Sequence, residues 1–436
     1  MQKTAFHASR SEVGDLLAGS LPAEERRRIV QHLLAGCETC AQLVHSLMFP
    51  ECPGYDGVAR RLELAMVLAE NDVAVERMQA LEAWEVLNPL PPEGRLFQVK
   101  HQPELHTWGM YEKILDEAKK SVKQDPLRAV DLAHLALAVA ERLDADDYGA
   151  ERIKDFEAAA YNCLSNAKRL VSDFSGAETA LRTAERLLAE GTGDPGEKIN
   201  FVSISASFKT DLGDLEDAAE SLNEAIRLAR RVKDKHQEGR LFIQQAGVVG
   251  WIDPVHAIEL VERGLSLIDT EREPALELNG RHILAFLTNE LGEPQEAESI
   301  LSTYAYLYKK FDDVFWRGRL LHLRANIARR ENDLLRAELC FRDLVQLYQE
   351  HSFEFDLALA ALDLAEVLTA RGSFRESEEI LAAVYPILQT WNIHVDILRA
   401  WLLLRENVQS RRVAREAFRE LAMTLRRKWY RKEEGR

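Results

Sequence analysis

The chain has 436 residues, 46% of them hydrophobic, which excludes an intrinsically disordered protein. Its 72 acidic and 56 basic residues give a net charge of −16, which opposes binding to nucleic acid and to anionic membrane surfaces. No apolar run reaches the roughly 20 residues that a membrane-spanning helix needs, and the first residues lack the apolar core of a signal peptide. The five cysteines, an odd number in a long chain, do not resemble a secreted disulfide framework. We therefore expect a cytoplasmic protein with reduced thiols.

Residues 1–53 contain a group of potential metal ligands. Ser20 is a good N-cap for a helix that ends near Gly36, and Cys37-Glu-Thr-Cys40 follows directly. A Cys-x2-Cys turn lets two thiolates point at one ion, and His32 at the end of the preceding helix can supply a third ligand.

A closed structural zinc site needs a fourth ligand. His7 is the leading candidate, and His45 and Cys52 are alternatives. Two other interpretations remain open, namely two small buried thiols in a helical hairpin and a redox disulfide between the two cysteines. The predicted cofactor is a structural Zn²⁺ ion, and its predicted ligands are His7, His32, Cys37 and Cys40.

This segment resembles the zinc-binding anti-sigma fold, whose pattern is a distal His followed by His-x3-Cys-x2-Cys. The separation of His7 from His32 fits that pattern well, but the spacer between His32 and Cys37 is longer than in the pattern, His-x4-Cys in place of His-x3-Cys. The resemblance covers only the segment 1–53 of the chain. It implies zinc binding and a sigma factor as partner, sequestered by the helices around His32 and Cys40.

Residues 54–123 are predicted to form a helical linker region without a repeat. Asn88-Pro-Leu-Pro-Pro-Glu-Gly94 predicts a rigid linker, because proline fixes φ and disfavours helix before it. An amphipathic helix from Trp108 to Val122 leads into the next region. We place a boundary between about residues 88 and 107.

Residues 124–408 carry a pattern that repeats at a nearly constant interval. The copy Asp211-Leu-Gly-Asp-Leu-Glu-Asp-Ala218 indicates the end of one helix, a tight turn at Gly213 and a second helix with a buried small residue, Ala218. The small residues of successive copies are 48, 41, 39, 40, 40 and 40 positions apart, which is typical of a stacked helical-repeat array. These small residues are Ala129, Ala177, Ala218, Ala257, Ala297, Ala337 and Ser377.

Each repeat is predicted to consist of a helix A, a turn and a helix B. Leu212-Gly213, Leu291-Gly292 and Arg371-Gly372 resemble the Leu-Gly turn of the tetratricopeptide-repeat (TPR) superfamily, although the period is near 40 instead of 34. The resemblance implies an all-α, right-handed α-solenoid, and the longer period implies helices about one turn longer, as in some bacterial regulatory members. The segment 1–53 is predicted to form a small N-terminal, zinc-finger-like helical domain in front of the solenoid. The predicted A helices are 153–171, 197–211, 236–250, 275–291, 313–330 and 354–370.

Helical solenoids bind peptides on the concave surface that their A helices line. Polar side chains at helical spacing on the predicted A helices are therefore candidates for contacts with a peptide backbone or carboxylate. The alternative for each residue is a hydrogen bond or salt bridge within the array. The candidate partner-binding residues are Asn162, Asn166, Arg169, Gln244, Gln245, Arg281 and Arg324.

Residues 409–436 are predicted to form a basic C-terminal helix and tail. Phe418, Leu421 and Leu425 make an apolar stripe, which favours a helix that caps the last repeat. The alternative is a docking site for an acidic partner or for nucleic acid.

The sequence contains no nucleophile elbow, His-Glu-x-x-His motif, Rossmann glycine fingerprint or kinase motif set. We therefore predict a non-enzymatic protein–protein interaction regulator that binds a polypeptide in its concave groove. The resemblance of the segment 1–53 implies that it acts in transcription regulation as an anti-sigma-like protein. The alternative is a plain multi-protein assembly scaffold in which the zinc site is only structural.

Overall fold

The computed structural model describes residues 7–17, 38–48, 73–171, 173–351 and 353–390, together with the single residues 21, 22, 25, 28, 29, 32, 404, 405, 408 and 418. Within these residues all regular secondary structure is helical, which confirms the predicted all-α class. No helix among them is long and apolar enough to cross a membrane. The chain forms two compact units, Met1–Lys113 and Ile114–Arg436.

The first unit contains a small helical pair near its start. Helices α1 (Arg10–Leu17) and α2 (Glu38–Met48) pack against each other, with Val13 and Val44 fully buried. Ser9 begins α1 with a capping box, because its Oγ accepts a hydrogen bond from the backbone N–H of the residue three positions on.

The expected linker after this pair is shorter than the prolines alone suggested. Residues 73–87 form helix α3, and helix α4 (Pro92–His101) already begins inside the segment 88–94. Pro92 occupies the first helical turn, where the backbone N–H groups have no partner within the helix, so the missing N–H of proline costs nothing. The fixed φ of proline also suits the helix. A turn at residues 88–90 and the N-cap residue Pro91 are therefore all that separates the two helices.

The second unit holds the repeat array. It opens with the second half of α5 (Trp108–Ser121) and with α6 (Pro126–Ala140), followed by the short helix α7 (Ala145–Tyr148). Six helix pairs follow. They are α8 (Ala150–Leu170) with α9 (Phe174–Glu190), α10 (Pro195–Leu212) with α11 (Leu215–Arg231), α12 (Lys235–Val249) with α13 (Pro254–Leu267), α14 (Pro274–Glu290) with α15 (Pro294–Thr303) and α16 (Ala305–Lys310), α17 (Val314–Arg330) with α18 (Leu334–Glu350), and α19 (Glu354–Ala370) with α20 (Phe374–Thr390).

The six pairs are the predicted A and B helices, and we number them as repeats 1 to 6. Each predicted A helix agrees with the structure to within a few residues at both ends. Every A helix packs on its own B helix, and α9, α11, α13 and α18 also contact the next A helix along the chain. This arrangement is an α-solenoid of TPR-like repeats.

The small residues of the repeat mark the crossing of the A and B helices. All seven of them, from Ala129 to Ser377, have no exposed surface. A larger side chain at the crossing would push the two helices apart, because cores are close-packed. This is why the period is visible in the sequence.

The turns between A and B helices have a common chemistry. Gly213, Gly292 and Gly372 have φ between 82° and 95°, a left-handed conformation that costs glycine little. Repeat 5 has Asn332 at the same place with φ 61°. Aspartate then begins several B helices, and in repeat 1 Asp173 Oδ1 accepts a hydrogen bond 2.9 Å long from the backbone N–H of Gly176.

The first and last repeats share one hydrophobic cluster. It joins Phe174 and Phe208 of repeats 1 and 2 to Leu362 and Leu381 of repeat 6 and to the buried Phe418 further on. Residues from both ends of the array, and from the segment that follows it, therefore belong to one cluster. The burial of Phe418 agrees with the predicted capping role, while most of residues 409–436 lies outside the described residues.

Candidate functional site

A cavity of about 310 Å³ lies between the A helices of repeats 3 to 6. Its apolar wall includes Trp251 and Phe286, whose ring centroids are 5.6 Å apart. Its polar groups come from α14, α17, α18 and α19, so four elements converge on one space. They are His282, Arg319, His322, Tyr348 and Asp356.

Arg319 is the most unusual group of the cavity. Its guanidinium donates a 2.7 Å hydrogen bond to Asn279 Oδ1 and lies 5.0 Å from the ring centroid of Trp316. Within the described residues it forms no ion pair with a carboxylate. Desolvation lowers the pKa of Arg319 to about 10, because burial disfavours the charged form. A cation in this position can bind an anionic or carbonyl group that enters the cavity.

Two hydrogen-bonded networks support the cavity. The hydroxyl of Tyr308 lies 2.7 Å from His282 Nδ1, and desolvation holds the pKa of His282 well below its usual 6.5, so the imidazole is neutral. His322 donates from Nε2 to Asp363 in α19 at 3.2 Å. Arg329 binds Glu366 at 2.6 Å and thereby ties α17 to α19 one turn further along.

The predicted partner-binding residues of repeat 1 are mostly engaged within the array. Arg169 donates to Asn166 Oδ1 at 2.9 Å and forms a 2.6 Å ion pair with Asp211 of the next A helix. Asn162 is buried, and its Oδ1 accepts no hydrogen bond from the described residues.

The predicted residues of repeat 3 also have internal partners. Gln244 donates to the backbone oxygen of Ser203 at 2.6 Å and to Ser207 Oγ at 3.0 Å, both on α10. Gln245 donates to Asn223 Oδ1 of α11 at 2.9 Å. These contacts fix the stacking of repeats 2 and 3.

The remaining two predicted residues differ from each other. Arg281 lies 4.4 Å from the ring centroid of Tyr304 and close to Glu277. Arg324 is half-buried and has no hydrogen bond or ion pair with any described residue. Among the described residues Arg281 Nε forms no hydrogen bond either, so Asn162, Arg281 and Arg324 all keep unused polar groups.

Sequence reasoning missed Arg319, Tyr348 and His282. A signal for them was present in Gly318, which lies in the middle of a predicted helix where glycine is costly. A Cβ atom there would lie 2.6 Å from the Tyr348 hydroxyl, so a larger residue would displace the tyrosine ring that lines the cavity.

The first unit brings three of the four predicted metal ligands together. One ligand atom from each of His7, His32 and Cys40 can be chosen so that all lie within 4.8 Å of one another. Cys40 Sγ is 3.6 Å from His7 Nδ1, which fits the ~3.5 Å expected between a sulfur and a nitrogen ligand of one tetrahedral Zn²⁺ ion. Cys37, Cys52 and the side chain of His45 lie outside the described residues.

Local structure holds these three residues in place. The backbone N–H of Ala8 donates to Cys40 Sγ at 3.3 Å, a contact that stabilises a thiolate. The rings of His7 and His32 pack edge to face with centroids 5.5 Å apart. Because α1 and α2 pack together, His7 just before α1 is brought beside Cys40, which is distant in sequence.

The array defines this chain as a TPR-like α-solenoid. No known protein-family profile matches the sequence, and no curated protein matches it. Among solved structures, the chain is similar to a Rap protein complexed with competence and sporulation factor, with 12% identity, coverage of 80% of this chain and 99% of the other, and a TM-score of 0.50.

Two further solved structures are similar over much of the chain. Aspartyl phosphate phosphatase F from Bacillus subtilis has 14% identity, coverage of 88% of this chain and 95% of the other, and a TM-score of 0.47. A STAND signal-transduction ATPase with a tetratricopeptide-repeat sensor from Pyrococcus horikoshii has 14% identity, coverage of 85% of this chain and 54% of the other, and a TM-score of 0.40.

Proposed function

We propose that the protein is a non-enzymatic regulator that binds a polypeptide partner between the A helices of its repeat array. The observation that carries this proposal is the cavity of about 310 Å³, which combines the apolar wall of Trp251 and Phe286 with the hydrogen-bonding groups of Arg319 and Tyr348. A mostly apolar pocket with a few convergent polar groups is the usual form of a binding site. The similar Rap structure, a complex with competence and sporulation factor, supports ligand binding by this fold.

Filling the cavity tests this proposal. Gly247 lines the cavity, and a Cβ atom there meets only an ordinary contact of 3.6 Å, so the backbone accepts a side chain at this position and Gly247→Leu adds apolar volume at the cavity wall. Glu262→Leu on the exposed face of α13 is the control. We expect a polypeptide partner, identified by affinity purification with the full chain, to bind the wild type and the control but not Gly247→Leu. Equal binding to all three proteins contradicts the proposal.

We also propose that the first unit holds a structural Zn²⁺ ion through His7, His32 and Cys40, with Cys37 as the fourth ligand. The donor set of imidazoles and thiolates suits zinc, and a bound ion would staple the small α1–α2 pair. Elemental analysis of the purified protein should give one zinc per chain, and Cys40→Ser or His32→Ala should remove it. Cys163→Ser, which alters a buried thiol of the array, should keep it. Zinc in none of these proteins, or in all of them, rejects the site.

The anti-sigma resemblance of the segment 1–53 adds a specific partner to this proposal, a sigma factor sequestered by the helices around His32 and Cys40. Deletion of that segment separates this regulator from a plain assembly scaffold. If the partner is a sigma factor bound by the first unit, the deletion abolishes its binding. If partner binding survives, the array alone binds it and the zinc site is only structural.

A further inference from the structure

Two cations lie over the same pair of aromatic rings in the second unit. Lys123 Nζ is 5.1 Å from the ring centroid of Phe315 and 5.6 Å from that of Trp316. Arg319 Cζ is 5.5 Å and 5.0 Å from the same two centroids. Lys123 follows α5 at the start of the array, whereas the other three residues lie on α17 in repeat 5. The fold therefore collects groups that four intervening repeats separate in sequence.

The two cations have no carboxylate partner among the described residues. Of the acidic groups that act on Lys123, Glu273 already binds Arg240 and lies 3.2 Å from His236 Nε2. The other, Asp313, caps α17 and accepts a 2.9 Å hydrogen bond from the backbone N–H of Trp316. Neither forms an ion pair with Lys123 or with Arg319.

This arrangement is costly for a purely structural site. Lys123 is accessible to solvent, yet the surrounding protein desolvates it and, with repulsion from Arg319, lowers its pKa from 10.5 to about 8. Unpaired charges in such surroundings destabilise a protein, and natural sequences retain such conflicts mainly at functional sites. Arg319 also lines the cavity, so a ligand whose anionic group lies between the two cations can extend its adjoining group into the cavity.

We propose that Lys123 and Arg319 bind a carboxylate of the polypeptide partner, with the adjoining apolar group of the partner inserted into the cavity. The polypeptide nature of the ligand rests on the proposed function. The charge of the site favours a carboxylate over a phosphate. Lys123, Arg319 and Arg240 face Glu273 and Asp313, and Asp356 also lines the cavity. These three carboxylates repel a dianion more strongly than a monoanion.

Small carboxylates test this inference directly on the full-length protein. N-acetyl-phenylalanine mimics a peptide C-terminus with an apolar side chain, and N-acetyl-glutamic acid α-amide presents a side-chain carboxylate. N-acetyl-phenylalanine amide lacks the charge, and phenyl phosphate carries two. Binding is measured by ligand-observed NMR and by the shift of the unfolding midpoint.

The variants are Lys123→Met and Arg319→Met. The controls are Lys120→Met, which removes an exposed lysine of the same helix region, and Arg317→Met, which removes an exposed arginine of α17.

We expect one or both carboxylates to bind, with the phosphate and the amide at least tenfold weaker. Whichever carboxylate binds more tightly identifies a C-terminus or an acidic side chain as the source. Each cation variant should weaken binding by about 10- to 100-fold, the effect of one charge-assisted hydrogen bond, and the controls should not. Equal binding of acid and amide, preference for phosphate, unchanged binding in the variants, or no binding overturns the carboxylate site. If Gly247→Leu abolishes partner binding but the two cation variants do not change it, this inference is overturned and the proposed function stands.

Discussion

At the scale of single residues, Lys123 links the binding site to stability. Its pKa is about 8 in the folded protein and near 10.5 in the unfolded chain. The unfolded state therefore binds this proton more tightly than the folded state does. Below pH 8 the charged lysine lowers the free energy of unfolding by the full amount. This loss of stability disappears as the pH rises from 8 towards 10.5. The groups that face Lys123 are Arg319, Asp313, Glu273 and Arg240.

Lys123→Met should accordingly raise the unfolding midpoint of the ligand-free protein at pH 7. The gain should shrink at pH 9.5, because the wild-type lysine is then mostly neutral. Thermal unfolding of both proteins at the two pH values measures the difference, and titration of other groups cancels between them. A lower midpoint for Lys123→Met at pH 7 would show that the ammonium stabilises the fold.

Arg329 is the opposite case, a cation whose partners are in place. It is mostly buried and lies between Asp363 and Glu366 of the next A helix, at 3.6 Å and 2.6 Å. Arg329→Met removes the cation that binds both buried carboxylates, although Asp363 keeps its hydrogen bond from His322, and should cost about 3–5 kcal/mol in the free energy of unfolding. The neighbouring Arg330 pairs with Glu290 near the surface, so Arg330→Met should cost at most ~1 kcal/mol. Urea denaturation of the two variants compares them, and similar losses would contradict this assignment.

At the scale of helices, the close approach of α12 and α13 depends on glycine. A Cβ atom on Gly264 would lie 2.7 Å from Ile243 Cγ1 and 2.8 Å from the backbone oxygen of Gly239. The two helices meet at their backbones, and a methyl group at this crossing has to separate them. The same geometric requirement makes the small residues of the repeat detectable in the sequence.

Gly264→Ala should destabilise the protein by about 1–3 kcal/mol, the usual cost of overpacking a core. Gly247→Ala on α12 meets only an ordinary contact of 3.6 Å, so it should be neutral or stabilise by up to ~1 kcal/mol through helix propensity. Chemical denaturation of both variants measures these changes. If Gly264→Ala proves as mild as Gly247→Ala, the helices are not in backbone contact.

At the scale of the whole molecule, one hydrophobic cluster of the second unit contains residues of the first and last repeats. A solenoid whose repeats touch only their neighbours unfolds as a one-dimensional chain of units. Here one cluster contains Phe208 of repeat 2, Leu362 of repeat 6 and Phe418 of the segment that follows. We therefore expect the first and last repeats to be coupled.

Phe208→Ala tests this coupling. The residue is buried, and truncation of a buried phenylalanine costs about 3–5 kcal/mol. Amide hydrogen exchange should accelerate in α10 and also in α19 and α20, four repeats further along the chain. Tyr306→Ala, at an exposed position of repeat 4, is the control and should leave exchange in repeat 6 unchanged. Faster exchange confined to repeats 1 to 3 would contradict this coupling between the first and last repeats.

The sequence by itself determined the all-α class, the six helix pairs and the turns between them. These features depend on contacts within one repeat or between neighbouring repeats, where a buried Ala218 or a left-handed Gly213 leaves a periodic mark. It also indicated His7, His32 and Cys40, whose ligand atoms lie within 4.8 Å of one another in the structure. Tertiary structure decided which polar groups stay available, since Arg169 and Gln244 pair with the next repeat or the one before. The position of Lys123 beside Arg319 was also decided only by the tertiary structure. It depends on the small rotations between successive repeats, summed over the array, and no local sequence pattern records that sum.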